Sequence, residues 1–209
     1  MENLVMVFLK WPEPGRVKTR LAAAVGEREA AEVYRMLLAA VVAGIPAALP
    51  VWFVFDPAER EADVRGWLAA DAENRFGEGR VSFVAQRPGD LGARLAGAFG
   101  DAFGAGFKKV AVVGTDCVEI TSAIYDEVWQ GLDSVDAVFG PATDGGYYLL
   151  GLARFDPALF EGIPWSTGET LGRSVDAALA AGFRVVFTRE LADVDTVADW
   201  ERVRGLILG

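Results

Sequence analysis

Residues 110–113 read Val-Ala-Val-Val and stop abruptly on Gly114, Thr115 and Asp116. A short β-branched apolar run ended by a turn signal is the pattern of a strand buried on both faces, as in a parallel sheet. Open α/β sheets bind their ligands just outside the carboxyl ends of the strands. Asp116 therefore stands where such a protein places its chemistry. The plainer alternative is that it caps the following helix, a role Asp also favours.

The rest of the chain repeats the pattern. Residues 4–9, 50–55, 80–85 and 136–140 are further apolar runs of strand length, and residues 27–42, 59–70, 91–103 and 122–132 place apolar side chains at helical spacing. Strands and helices that alternate with short joints predict right-handed βαβ units and a mostly parallel sheet. The rhythm changes after residue 140. Residues 147–152 form a strand with no helix before it, which predicts an antiparallel or mixed edge. A helix over 171–181 closed by Gly182, a strand over 183–187 and a final helix from about residue 196 complete the chain. With no repeat, linker or low-complexity tract, one domain over residues 1–209 is expected.

Composition narrows the chemistry. The chain has 209 residues, 52% hydrophobic, and a net charge of −10. That balance disfavours nucleic acid and anionic membranes as partners, because phosphate contacts need a basic face. No apolar stretch reaches transmembrane length. A single cysteine rules out an internal disulfide. With no leader pattern at the start, a cytoplasmic location is expected. Histidine is absent, which excludes Ser-His-Asp and Cys-His catalysis and His-based zinc sites. Proton transfer or metal binding must then use carboxylates, lysines or hydroxyls, and an all-oxygen site suits Mg²⁺ or Mn²⁺.

Four polar clusters follow strand ends. Lys10, Arg16, Lys18 and Arg20 crowd the first strand-to-helix loop of an otherwise acidic chain. They read as a phosphate-binding group, against the alternative of a solvated loop. The loop lacks the P-loop spacing and the G-x-G-x-x-G fingerprint. Gln86, Gly89, Gly92 and Arg94 follow the third strand, where glycines allow close approach and Gln can read a base edge. Asp90 there is equally a helix cap. Thr143, Asp144, Gly145 and Gly146 form either a tight turn or a backbone platform for substrate. Asp193 and Asp195 precede the last helix. They can pair with Asp116 around a cation, or one of them, or Thr196, can cap that helix.

Taken together, the motifs Lys10-x-Pro, Gly15-x-Val-Lys18-Thr-Arg20-Leu21, Gly89-Asp-Leu-Gly92-x-Arg94, Gly114-Thr-Asp116-Cys117, Asp144-Gly-Gly-Tyr147, Trp165-Ser-Thr167 and Asp193-Val-Asp195-Thr196 resemble a bacterial family of glycosyltransferase-like, or nucleotide-diphospho-sugar transferase-like, proteins. That family is similar to 2-phospho-L-lactate guanylyltransferase and molybdenum cofactor guanylyltransferase. The resemblance spans nearly the whole chain. It implies the GT-A type nucleotide-diphospho-sugar transferase fold, a three-layer α/β/α sandwich with a mostly parallel, mixed-edge sheet.

It also implies roles. Lys10, Gly15, Lys18 and Arg20 would bind the nucleotide phosphates, and Gln86, Gly89 and Gly92 the base. Asp116 would bind Mg²⁺ or Mn²⁺, joined by Asp195 or Asp193. Thr143, Asp144, Gly145, Gly146, Trp165, Ser166 and Thr167 would face the acceptor. Lys18, Arg20, Asp116 and Asp144 are the candidate catalytic residues. The substrate would be a nucleoside triphosphate or a nucleotide sugar, with a small acceptor as the second partner, and a homodimer is allowed for. The implied reaction is nucleotidyl transfer to a phosphorylated or carboxylate acceptor. The alternatives are glycosyl transfer and a non-catalytic nucleotide-binding module. One departure stands out: the family continues Asp-Cys-Pro, whereas this chain continues Asp116-Cys117-Val118-Glu119, which predicts an extra carboxylate, Glu119, near the site.

Overall fold

The computed structural model describes residues 3–208. Seven strands form one sheet: β1 (Asn3–Lys10), β2 (Val51–Asp56), β3 (Val81–Ala85), β4 (Lys109–Val113), β5 (Ala137–Pro141), β6 (Tyr147–Leu152) and β7 (Val185–Phe187). Their order is β3-β2-β1-β4-β6-β5-β7. β6 pairs antiparallel with both β4 and β5, and every other pairing is parallel. The change of rhythm after residue 140 thus corresponds to one reversed strand. It lies between β4 and β5, with the parallel β7 outside it.

The helices are α1 (Thr19–Val25), α2 (Glu27–Gly44), α3 (Glu61–Phe76), α4 (Leu91–Gly104), α5 (Ser122–Gly131), α6 (Thr170–Ala180) and α7 (Val197–Leu208). The two-residue period of the strands divides the core into two halves. Val5, Val7, Phe53, Phe55, Ala111 and Val113 face one way, onto α2, α3 and α5. Leu4, Met6, Val54, Val110 and Val112 face the other way, onto α4, α6 and the short 3-10 turn Pro157–Phe160. The result is the expected α/β/α sandwich. A third apolar cluster packs α7 on α1 and α2 through Leu21, Val33, Leu37, Val194, Trp200 and Val203. That contact sets the 193–196 segment against the end of β4, where Val194 N donates to Asp116 O at 2.9 Å.

One local detail adds to the pattern expected from sequence and one differs from it. A short helix, α1, precedes the expected 27–42 helix, and Gly26, whose φ of 89° no other residue adopts comfortably, separates the two. The last strand covers only Val185–Phe187. No helix among the described residues is long and apolar enough to cross a membrane.

Candidate active site

Two adjoining cavities open at the carboxyl ends of the parallel strands. The larger, about 630 Å³, lies over the ends of β1 and β4 and is lined by Lys10, Arg16, Lys18, Arg20, Arg94 and Asp116 among others. The smaller, about 230 Å³, lies beside it under the 144–147 and 165–170 segments. Phe8, Leu91, Gly114 and Ser166 line both. The only described non-glycine residues with positive φ are Lys18 (47°) and Ser166 (61°), and both border this space. Backbone held in sparsely populated conformations tends to mark functional positions.

Lys18 is the centre of the larger cleft. Its side chain is only 4% exposed. The ammonium reaches Asp116 Oδ1 at 2.6 Å, Asp195 Oδ1 at 3.3 Å and the carbonyl oxygen of Val194 at 2.6 Å. The contacts to Val194 O and Asp195 are hydrogen bonds, and the contact to Asp116 is a close ion pair. Arg20 reaches the other oxygen of Asp195 at 3.2 Å but is 72% exposed. Thr115 Oγ1 donates to Asp116 at 3.1 Å. Asp116 and Asp195 therefore converge across the sheet edge, and what joins them is an ammonium group. Asp116 does not cap a helix, since α5 begins only at Ser122. Thr196 caps α7: its Oγ1 accepts from Asp199 N, and Asp199 accepts from Thr196 N at 2.8 Å. This reciprocal pair leaves Asp193 and Asp195 free of that duty.

Asp193 goes elsewhere. It lines the smaller cavity, as does Asp144, while Asp195 lines the larger. Burial, and then the neighbouring Asp116, Asp144 and Asp195, push the Asp193 carboxyl up to about 7. The expected trio of Asp116, Asp195 and Asp193 does not gather as a metal cluster; among the described residues no group of three or more Asp, Glu or Cys side chains does. Asp116 and Asp195 remain as a pair of hard oxygen donors in a locally acidic field. That suits Mg²⁺ or Mn²⁺, which commonly rests on one or two carboxylates and completes its shell with phosphate oxygens and water.

Several other expected residues have structural work to do. Gln86 donates from Nε2 to the carbonyls of Val54 (2.9 Å) and Leu9 (3.3 Å), and its Oε1 accepts from Arg94 at 3.2 Å. Its amide ties β1, β2 and α4 together instead of offering a free edge to a base. Gly92 is buried, and a Cβ there would meet Phe160 O at 2.6 Å and Trp165 Nε1 at 2.7 Å. Helix packing demands that glycine. Asp90 caps α4, accepting from Ala93 N at 2.8 Å, and Gly89 carries φ 124° one step earlier. The reason for the glycine pair is clearest at Gly145: φ is 88° and a Cβ would lie 2.3 Å from Gly168 O. Thr143 is exposed and donates its N–H to Leu191 O. Thr167 Oγ1 donates to Pro164 O at 2.8 Å, so it braces the 164–170 turn that carries Trp165. Lys10, the last residue of β1, is exposed, and Gly15 lies in the loop beyond it with φ 79° beside the Glu27 carboxylate.

The departure at Val118-Glu119 leads away from the cavities. Val118 packs into the α1–α2–α7 cluster, and Glu119 pairs with Arg202 at 2.9 Å. Cys117 is buried, and burial pushes its thiol up to about 12, so it is no nucleophile. Sequence reasoning missed Tyr34. Its buried hydroxyl accepts from Lys10 N at 2.8 Å and lines the cleft. Burial pushes the phenol up to about 12. Nothing in the helical spacing of α2 distinguishes it from an ordinary core position. Arg94 also does more than its motif suggests, bridging Asp56 (3.2 Å), Gly89 O and Gln86.

Residues 47–167 match the family described as uncharacterized protein conserved in bacteria (DUF2064). The chain belongs to this family. No curated protein matches it. Among solved structures, the chain is 33% identical to a protein from Desulfovibrio desulfuricans G20 that is provisionally classed as a nucleotide-diphospho-sugar transferase. The match covers 97% of this chain and 87% of that one, with a TM-score of 0.83. Two more distant structures share the fold. One is CMP:2-keto-3-deoxy-manno-octonic acid synthetase in complex with CTP (14% identity, 100% and 99% coverage, TM-score 0.56). The other is 4-diphosphocytidyl-2C-methyl-D-erythritol synthase from Anaerococcus prevotii (8% identity, 99% and 99% coverage, TM-score 0.59). The DUF2064 protein thus has the nucleotide-diphospho-sugar transferase fold, among neighbours that are transferases.

Proposed function

We propose that this DUF2064 protein is a divalent-metal-dependent nucleotidyltransferase. The larger cleft would take the nucleoside triphosphate, and the smaller cavity the molecule that receives the nucleotidyl group. One observation carries this reading. Lys18 bridges Asp116, at the end of β4, and Asp195, before α7, inside a cleft whose rim bears Lys10, Arg16 and Arg20.

Each part supports a role. Arg16 and Arg20 have largely exposed side chains, 78% and 72%, so their guanidinium groups are available to phosphate oxygens, for which their fork geometry is suited. Lys10 adds a third accessible cation. Lys18 is different, because its ammonium is already held by two carboxylates and a backbone carbonyl. It holds Asp116 and Asp195 at a fixed separation and offsets their charge. Mg²⁺ or Mn²⁺ held by Asp116 and Asp195 would supply Lewis-acid neutralisation of the triphosphate. Lys18, at the centre of the same cleft, is the buried cation placed to stabilise the charge that would develop on the leaving pyrophosphate. The wall shared by the two cavities lets an acceptor oxygen approach the α-phosphorus.

Glycosyl transfer from a nucleotide sugar is a second reading, favoured by the Asp144 carboxylate at the smaller cavity, a candidate base. Incubation with each nucleoside triphosphate, Mg²⁺ and a panel of small acceptors distinguishes the two. Pyrophosphate release that depends on acceptor is the expected result. Release of nucleoside diphosphate from a nucleotide sugar, without pyrophosphate from any triphosphate, would establish the second reading instead.

A further inference from the structure

The smaller cavity differs in charge from the cleft beside it. Its charged lining residues are Asp144 and Asp193, and no Lys or Arg lines it among the described residues. The Asp193 carboxyl has no hydrogen-bond or ion-pair partner among the described residues; Lys18, held by Asp116 and Asp195, acts on it only from the adjoining cleft. One oxygen of Asp144 accepts from Gly146 N at 2.8 Å, which leaves acceptor capacity on the other. The walls are apolar and aromatic. Tyr147 and Trp165 meet edge to face, 6.4 Å between centroids, with Phe8 and Leu95 completing the lining.

A phosphate or carboxylate in this space would face two acidic side chains with no Lys or Arg in the lining, and such like-charge juxtaposition is costly in a partly buried site. A hydroxyl or ammonium would instead meet two acceptors, while the C–H face of the same molecule lay against the aromatic rings. The sequence-based expectation of a phosphorylated or carboxylate acceptor places the wrong charge here. We infer that the acceptor presents hydroxyl or ammonium donors to this cavity and carries no phosphate or carboxylate on the face that enters. That the molecule is an acceptor rests on the nucleotidyltransferase reading; its charge preference does not.

Four hexose probes of one shape and different charge test this: glucosamine, glucose, glucuronate and glucose 1-phosphate. Binding to the full chain is measured by calorimetry and ligand-observed NMR, with saturating inorganic pyrophosphate added to compete for the cationic cleft. Glucosamine and glucose are expected to bind at least roughly tenfold more tightly than the two anions. The isosteric double variant Asp144→Asn/Asp193→Asn, its fold checked by thermal melting, is expected to narrow that gap by raising the affinity of the anions and lowering that of glucosamine. Anions that bind as tightly as the uncharged probe, a ranking that the double variant leaves unchanged, or no binding by any probe would each overturn the inference. Failure of every nucleoside triphosphate to bind, with the probe ranking intact, would sink the nucleotidyltransferase reading and support the charge preference.

Discussion

The two cavities share a wall and are opposite in chemistry. The larger is rimmed by cations from the end of β1 to the start of α1 and holds Asp116 and Asp195 in ion pairs. The smaller has two carboxylates, no cation among its described lining residues, and aromatic walls. The difference arises from a three-residue segment. In Asp193-Val194-Asp195, the middle residue is fully buried against α1 and α2, so its neighbours diverge into the two cavities. Asp195 gains Lys18 and Arg20; Asp193 gains no such partner. A site of this kind sorts its ligands by charge before any base or ring is read.

The largest effect should come from the turn that supports the smaller cavity. Gly145→Val forces a β-branched residue to φ 88° and drives its Cβ into Gly168 O. Destabilisation of about 3 kcal/mol is expected in urea unfolding, from strain plus clash. If nucleotide binding survives in the fraction that folds, the two cavities are separately built; parallel loss of both would break the comparison.

Next is Asp116→Asn. Two bare carboxylates would repel, and removing one would stabilise the protein. Lys18 reverses that sign, because the substitution removes an attractive contact at 2.6 Å. Asp116 is 43% exposed, so solvent screens the pair and a loss of about 1–2 kcal/mol is expected. Divalent-cation-dependent nucleotide binding should fall as well, as read by titration with Mn²⁺. A gain in melting temperature would show that Lys18 does not neutralise the pair.

The smallest effect lies at the other end of the sheet. Asp136, just before β5, accepts from Arg184 N at 2.8 Å with Arg154 and Arg184 nearby. The backbone N–H of Arg184 is the main reason its carboxyl is held below the usual range. A depressed folded-state pKa adds stability above the unfolded value and loses it as pH falls through the folded one. Asp136→Asn should therefore cost about 0.5–1 kcal/mol near neutral pH. The difference from the parent should shrink below about pH 4. Neither cavity's binding should change. A pH-independent difference would mean that the Asn variant is destabilised by packing and not by lost charge.

Much of this architecture is legible from sequence, and the limits are physical. The strand-helix alternation survives because two-residue and helical periods are local properties, and the strand ends locate the cleft. The basic loop and the acidic 193–195 segment both stand out by charge. What cannot be read is which charges meet, since Lys18 and Asp195 are separated by 177 positions. Nor can a sequence reveal that Asp193 and Asp195 turn into different cavities, because that depends on how Val194 is anchored by α7. Gln86 looked free because its partners are backbone carbonyls, which leave no mark in the sequence. The glycine of Gly145 was legible as special, but its reason, the backbone of Gly168, was not.

The division of labour between the cavities is tested most directly by the binding of non-hydrolysable nucleoside triphosphate analogues with Mg²⁺, measured by calorimetry on three proteins: the parent, Lys18→Met, and Asp144→Asn/Asp193→Asn. The expected result is a loss of roughly tenfold or more for Lys18→Met, the cost of one charge-assisted phosphate contact, with the double variant binding as the parent does. Equal binding by Lys18→Met and the parent, or an equal loss in the double variant, would contradict the account.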